Sequence, residues 1–364
     1  MAASKSSSSA YFNSSFVLKR HGQEARQHGG MDSLLKPDRE PAWRFSVAPM
    51  LDCTDRHFRM LMRQISKQSL LYSEMVVVQA LHHSKRRERL LDFDAEEHPL
   101  ALQVGGDDPA LLADATRMAA DWGYDEINLN VGCPSPRVQA GNFGACLRAE
   151  PQTVARCVEA MVAASSLPVT VKHRVGIDDL DSDDLLRKFV DQVADAGALR
   201  FSVHARKAWL EGLDPKQNRT IPALQHDRVI ALKESRPDLT IELNGGLDTP
   251  EDCLNALKHC DGAMVGRAAY AHPLRWRDID SLIYGAAPRH VLASDVVLGL
   301  IPHAERHLQR GGRLWDLCRH LVQVVEAVPG ARYWRNNLST KAQKTGAGIE
   351  IIEEAAQQLL DAGL

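Results

Sequence analysis

From Pro41 to Tyr284 the chain repeats one pattern eight times: a short aliphatic run, a polar or glycine-bearing turn, then a segment of helical length. The strand candidates are Phe45–Val47, Leu71–Glu74, Leu100–Val104, Glu126–Asn130, Val169–His173, Phe201–His204, Thr240–Asn244 and Ala263–Val265. Helices are expected over Asp55–Ile65, with Thr54 as its cap, and over Ala110–Asp121, Pro151–Ala164, Asp183–Ala194, Arg228–Ser235, Glu251–His259 and Leu274–Tyr284. Strands alternating with helices pair in parallel, because the chain must cross back over the sheet between them. Eight such units in about 250 residues predict a (β/α)8 (TIM) barrel. An open doubly wound sheet is the runner-up, but no G-x-G-x-x-G follows the first strand.

The strand ends narrow the reading further. At or just past the C-terminal ends stand Pro49-Met50, Glu74, Gln103, Asn128 and Asn130, Lys172, His204, Asn244-Gly245-Gly246 and Gly266-Arg267. The N-terminal ends are mostly plain. In a barrel these residues converge on one mouth, the end where catalytic groups collect. Glycines after strands seven and eight let backbone N–H groups approach an anion, and Arg267 adds a charge-assisted contact. Tight βα turns need glycine anyway, so either motif alone is weak. Lys172 alone reads equally well as a solvated lysine, and His204 alone as a structural histidine. Together with Gln103 around a phosphate mouth they suit a flavin, although composition does not choose flavin over another phosphorylated ligand.

Between Glu126 and Val131 apolar residues alternate with Asn128 and Asn130, and Gly132, Pro134 and Pro136 then end the strand. Cys133 therefore sits on a turn at the mouth. A single cysteine in a tight loop is more often a small buried hydrophobe; its place at the mouth shifts those odds. The seven cysteines are scattered, with neither a disulfide framework nor a zinc spacing, which favours reduced thiols in a cytosol-like compartment.

The ends of the chain differ from the barrel. Residues 1–40 are rich in Ser, Gly, Gln and basic residues, and read as a disordered extension. That composition also fits a weak organelle transit peptide, but no Arg-rich amphipathic helix is present, so an untargeted tail in the cytoplasm ranks above import. From residue 287 to 364 only helical patterns remain: Val291–Gln309 with Pro302 as a kink, Arg313–Val328, Ala331–Lys344 and Ile349–Leu360, a small antiparallel bundle. No apolar run is long enough to span a bilayer. The formal net charge of -3 does not advertise a nucleic-acid binder, so such a partner must rely on local basic patches. Arg332-Tyr333-Trp334-Arg335 with Lys341 and Lys344 is one, and the mouth loop Lys216–Arg219 another. A solvated basic helix face is the commoner explanation for the first.

Three long motifs carry a resemblance. Phe-Ser-Val-Ala-Pro-Met-Leu-Asp-x-Thr-Asp-Arg-His (45–57), Leu-Asn-Val-Gly-Cys-Pro-Ser (129–135) and Val-Thr-Val-Lys-His-Arg-Val-Gly-Ile-Asp-Asp (169–179) resemble the tRNA-dihydrouridine synthases. His-Ala-Arg-Lys-Ala-Trp-Leu (204–210) and Pro-Gly-Ala-Arg (329–332) look like the bacterial A subfamily. The resemblance implies a flavin-dependent barrel (41–286) with a helical tRNA-binding domain (287–364), a monomer without a stable protein partner, that reduces the C5–C6 bond of tRNA D-loop uridines at positions 20 and 20a. It implies FMN held by Pro49, Met50, Leu51, Gln103, Lys172, His204, Asn244, Gly245, Gly246, Gly266 and Arg267, with NADPH (or NADH) as reductant. Hydride then goes from the reduced flavin to C6, and Cys133 gives a proton to C5. Thiols titrate near 8.5 and stay protonated at neutral pH, as an acid must. Asn130, Lys216, Arg219, Arg332 and Arg335 fall on the family's tRNA-contacting positions. Cys53 departs from the Trp usual in the A subfamily. The alternatives are an FMN barrel acting on a small dihydroorotate- or dihydropyrimidine-type substrate, and a tRNA-binding folding helper.

Overall fold

The computed structural model describes residues 40–326 and 330–364, so the serine-rich segment and Pro329 lie outside the described residues. Eight parallel strands follow in order: β1 Phe45–Val47, β2 Leu70–Tyr72, β3 Leu100–Gly105, β4 Glu126–Val131, β5 Val169–Arg174, β6 Arg200–His204, β7 Thr240–Asn244 and β8 Gly262–Val265. Ser46 stands opposite both Leu70 of β2 and Met264 of β8, and Leu71 of β2 stands opposite Leu100 of β3, so the sheet closes on itself. A two-residue strand, Val76–Val77, adds to the end of β3. The fold is the expected (β/α)8 barrel followed by helices.

Where the elements differ from expectation, local chemistry explains it. The first helix, Arg56–Ile65, is capped by Asp55, whose carboxylate accepts the His57 and Phe58 amides; Thr54 is not the cap. The Thr54 hydroxyl instead donates to the Met50 carbonyl and accepts the Met50 amide, closing the β1 turn. Leu274–Tyr284 is a short 3-10 turn, Pro273–Trp276, then a helix, Ile279–Tyr284. Pro302 breaks the expected Val291–Gln309 helix at Leu300, giving Ala293–Gly299 and Ile301–Gln309, because a ring nitrogen cannot donate to the preceding turn. Among the described residues five helices therefore follow the barrel, the last three being Leu314–Leu321, Ala331–Ala342 and Glu350–Asp361. Leu314–Leu321 packs on both Arg56–Ile65 and Ala331–Ala342, and Ala293–Gly299 packs on Glu350–Asp361. Buried Val296, Val297, Leu317, Leu321, Leu338 and Ile352 join the barrel's own core. At roughly 1.5–3 kcal/mol for each fully buried large aliphatic side chain, that seam holds the helices to the barrel.

The barrel interior is polar at its floor. Arg200 lies between two carboxylates, 2.6 Å from Glu126 and 3.1 Å from Glu242. The hydroxyls of Tyr72 and Thr170 donate to Glu126, and those of Ser46 and Ser202 donate to Glu242. Removing one member of a buried pair such as this costs about 3–5 kcal/mol, because the other charge is left unpaired.

Candidate active site

Above that floor the C-terminal strand ends form the mouth. Cys133 is half-buried on the turn after β4, held from three sides. Its carbonyl accepts the Ala145 amide at 2.9 Å, and its own amide donates to Asn130 Oδ1 at 3.0 Å. Gly144 lies against that carbonyl at φ +76°, where a Cβ would come within 2.6 Å of the Cys133 oxygen, so only glycine fits. The Gln139 amide group ties the neighbouring Pro134 carbonyl to that of Leu210.

The two glycine turns open at the same end. Lys172, on β5, donates to Asn244 Oδ1 at the end of β7 over 2.9 Å, and Asn244 donates onward to the Met264 carbonyl of β8. Gly245 (φ +106°) leaves room for the His204 ring, which a Cβ would meet at 2.5 Å. Gly266 faces Met50 at ordinary contact distance, and Arg267 donates to the Arg219 carbonyl. Arg174 Nε donates to the Gly132 carbonyl beside Cys133, and β4 to β8 all run parallel, so the turns after β4, β7 and β8 lie at one end of the barrel. The thiol and the two glycine turns thus share one rim.

The electrostatics are one-sided. Arg174 is buried and donates only to the carbonyls of Gly132, Lys207 and Asn218. Burial, reinforced by Arg174, brings Lys172 down to about 7. Burial also pushes His204 well below the usual histidine range, with Arg174 and Lys172 adding to the effect. Arg206 and Arg219 are lowered by burial and by Arg267 beside them. Among the described residues, none of Lys172, Arg174, Arg206, Arg219 and Arg267 has a carboxylate within ion-pair distance. A cluster of cations without carboxylates, set on backbone N–H turns, suits a dianionic phosphate.

The remaining expected residues occupy varied places. Gln103 and Asn130 meet inside the barrel, Asn130 Nδ2 donating to Gln103 Oε1 at 2.9 Å. Asn130 is only 8% exposed, with both ends of its amide engaged by protein groups. Pro49 and Met50 are half-buried, while Leu51 is 68% exposed at the loop tip. Lys216 is exposed beside Arg219 on the loop after β6. Arg332 and Arg335 are exposed on Ala331–Ala342. The link between helices and mouth is Arg319, which donates to the Asp52 carbonyl and pairs with Asp55. Sequence reasoning did not single out Arg319, Arg174 or His226, whose ring bonds the Gly245 carbonyl at 2.7 Å. Arg174 was within reach, lying two positions beyond Lys172 in an already familiar motif.

A closed parallel barrel with a thiol, amides and uncountered cations at its mouth defines an enzyme of the α/β-barrel class. The chain belongs to the dihydrouridine synthase family: the profile described as "Dihydrouridine synthase (Dus)" matches residues 46–361. It is 51% identical over 312 residues to the tRNA-dihydrouridine(20/20a) synthase of Synechocystis sp., covering 86% of this chain and 93% of that one. It is 50% identical over 315 residues to the protein of that name from Shewanella oneidensis, covering 86% and 93%. With its Escherichia coli K12 counterpart it shares 46% identity over 344 residues, 94% of this chain and 99% of the relative.

Proposed function

We propose that this dihydrouridine synthase reduces the D-loop uridines at positions 20 and 20a of tRNA, with FMN at the barrel mouth and NADPH or NADH as the reductant. The observation that carries the reading is the shared rim: Cys133 stands at the same end as the Gly245-Gly246 and Gly266-Arg267 turns. The phosphate of FMN suits those turns with Arg267, and Lys172, Gln103 and His204 suit the ring system, each having donors or a cationic head to offer. Pro49, Met50, Leu51 and Asn244 complete that cradle. When bound, FMN supplies the hydride that goes to C6 of the uracil.

The protein's own part is acid chemistry and positioning. Cys133 Sγ delivers the proton to C5. The target base has to leave its stack to reach a barrel mouth. Lys216, Arg219, Arg332 and Arg335 supply phosphate contacts that hold the tRNA while its shape sets the register. The reading is of a monomer of two parts, a barrel over 41–286 and a tRNA-holding helical part over 287–364, working in the cytoplasm, where its substrate tRNA is found. Among the described residues no helix is long and apolar enough to cross a membrane.

The test is direct. Purified protein should carry bound flavin, and primer extension should map dihydrouridine to positions 20 and 20a of unmodified tRNA treated with protein and NADPH. Equal turnover on free uridine and on whole tRNA would favour a small-molecule oxidoreductase instead.

A further inference from the structure

A single file of hydrogen bonds climbs the inside of the barrel from the floor to the thiol loop. Thr170 Oγ1 donates to Glu126 Oε1 at 2.5 Å, and Asn128 Nδ2 donates to Thr170 Oγ1 at 2.9 Å. Gln103 Nε2 donates to Asn128 Oδ1 at 2.8 Å, and Asn130 Nδ2 donates to Gln103 Oε1 at 2.9 Å. Asn130 Oδ1 then accepts the amides of Gly132 and Cys133 at 3.1 and 3.0 Å. The register makes the file possible, since Gln103 stands opposite Asn128 and Asn128 opposite Thr170 on adjacent strands.

The file has one polarity, set from below. Glu126, gripped through both oxygens by Arg200, accepts hydrogen bonds and offers none. Thr170 must therefore spend its only proton on Glu126 and accept from Asn128. That choice leaves Asn128 with its oxygen upward, which fixes Gln103, which in turn fixes Asn130. An amide has two faces of nearly equal shape, so packing alone does not choose between them. Reversing Asn130 would set an NH2 group against two backbone N–H groups and push the Cys133 loop aside. Among the described residues one N–H of Gln103 and one of Asn130 meet no partner, which leaves both side chains a donor for a ligand carbonyl.

We propose that Thr170 and Asn128 are positioning residues for the proton-donating loop: they carry the polarity of Glu126 up to Asn130 and so fix where Cys133 Sγ stands. The assignment rests on Cys133 being the acid of tRNA uridine reduction.

The test compares Thr170→Val, which keeps the side-chain shape and removes the hydroxyl, with Thr170→Ser, which keeps the hydroxyl. Thr170→Ala serves as a second hydroxyl-less chain should the valine variant not fold. Two readouts are taken on the holoenzyme: kcat and KM for tRNA, and the pH profile of iodoacetamide alkylation at Cys133, followed by mass spectrometry of its peptide. The hydroxyl-less variant should lose at least about tenfold in kcat with KM within about twofold, the scale expected for a misplaced reacting group. Its Cys133 alkylation profile should move from that of the parent, and Thr170→Ser should restore both readouts. A hydroxyl-less variant with parental kcat and parental alkylation overturns the proposal, as does a serine variant as impaired as valine. A parent that makes no dihydrouridine on tRNA overturns the functional reading instead, and alkylation still reports on the loop in that case.

Discussion

The mouth and the seam between barrel and helices are both crowded with titratable groups, and they are wired in opposite ways. At the seam nearly every charge has its partner. Asp94 pairs with His303 at 2.9 Å and with Arg56 at 3.2 Å, and the far nitrogen of His303 meets His57 at 2.9 Å. His307 packs edge-on to His57 and pairs with Asp316, while Asp55 takes both Arg319 and His320. At the mouth, among the described residues, Lys172, Arg174, Arg206 and Arg267 meet only carbonyls and an amide, and the buried Nε of Arg219 meets no partner. Paired charge holds elements together, whereas unpaired charge at a cleft is left for a ligand. The difference tells which polar cluster is scaffold and which is site.

Exchanging one residue in each region should separate the two roles. Cys133→Ala should lower dihydrouridine formation by about 10³-fold, within the usual contribution of a general acid, while flavin content and Tm stay near those of the parent. Normal turnover by that variant would remove the thiol from the mechanism and blur the contrast. At the seam, Asp94→Ala leaves His303 with His57 alone and takes one of two carboxylates from each of Arg56 and Arg306, and should cost about 2 kcal/mol in denaturant unfolding with kcat for the folded enzyme unchanged.

The seam should also set the acid limit of the fold. Burial holds His57 at about 3, against the attraction of Asp55, and buried His173 is likewise at about 3. Unfolded, both take up a proton near 6.5, so the unfolded state binds more protons between the two values. Stability is therefore full above 6.5 and falls as pH drops toward 3, by at most about 1.4 kcal/mol per pH unit for each ring. Thermal melts of His57→Asn between pH 4 and pH 7 should show a shallower slope than the parent. An unchanged slope would mean that the histidine cluster is not what acid attacks. The smallest effect is expected on the exposed face of Ala331–Ala342. Arg332→Ala and Arg335→Ala should each raise KM for tRNA a few-fold, leave kcat alone and reduce the salt slope by about 1.

The barrel was legible because its signals are local. Alternation from Glu126 to Val131, proline at helix starts and glycine at turns each act within a few residues. The mouth was legible where strand ends announced themselves, Gln103 and Asn130 among them. Thr170 was not legible, since a threonine in a strand reads as an ordinary β-former; its role exists only once β5 is laid in register beside β4. The seam was hidden for a similar reason: His57, His303, His307 and His320 come from distant parts of the chain and meet only through helix packing. The break at Leu300 was half visible, Pro302 marking where a helix must bend but not that it would divide.

The lowered Lys172 has a thermodynamic corollary. Burial brings that ammonium down to about 7, so near neutral pH a fraction of the molecules carry it uncharged. An anionic ligand settling beside it favours the protonated form, so loading near neutral pH should draw protons from the buffer. Titration calorimetry in buffers of differing ionisation enthalpy would register that uptake, and it should vanish in Lys172→Met.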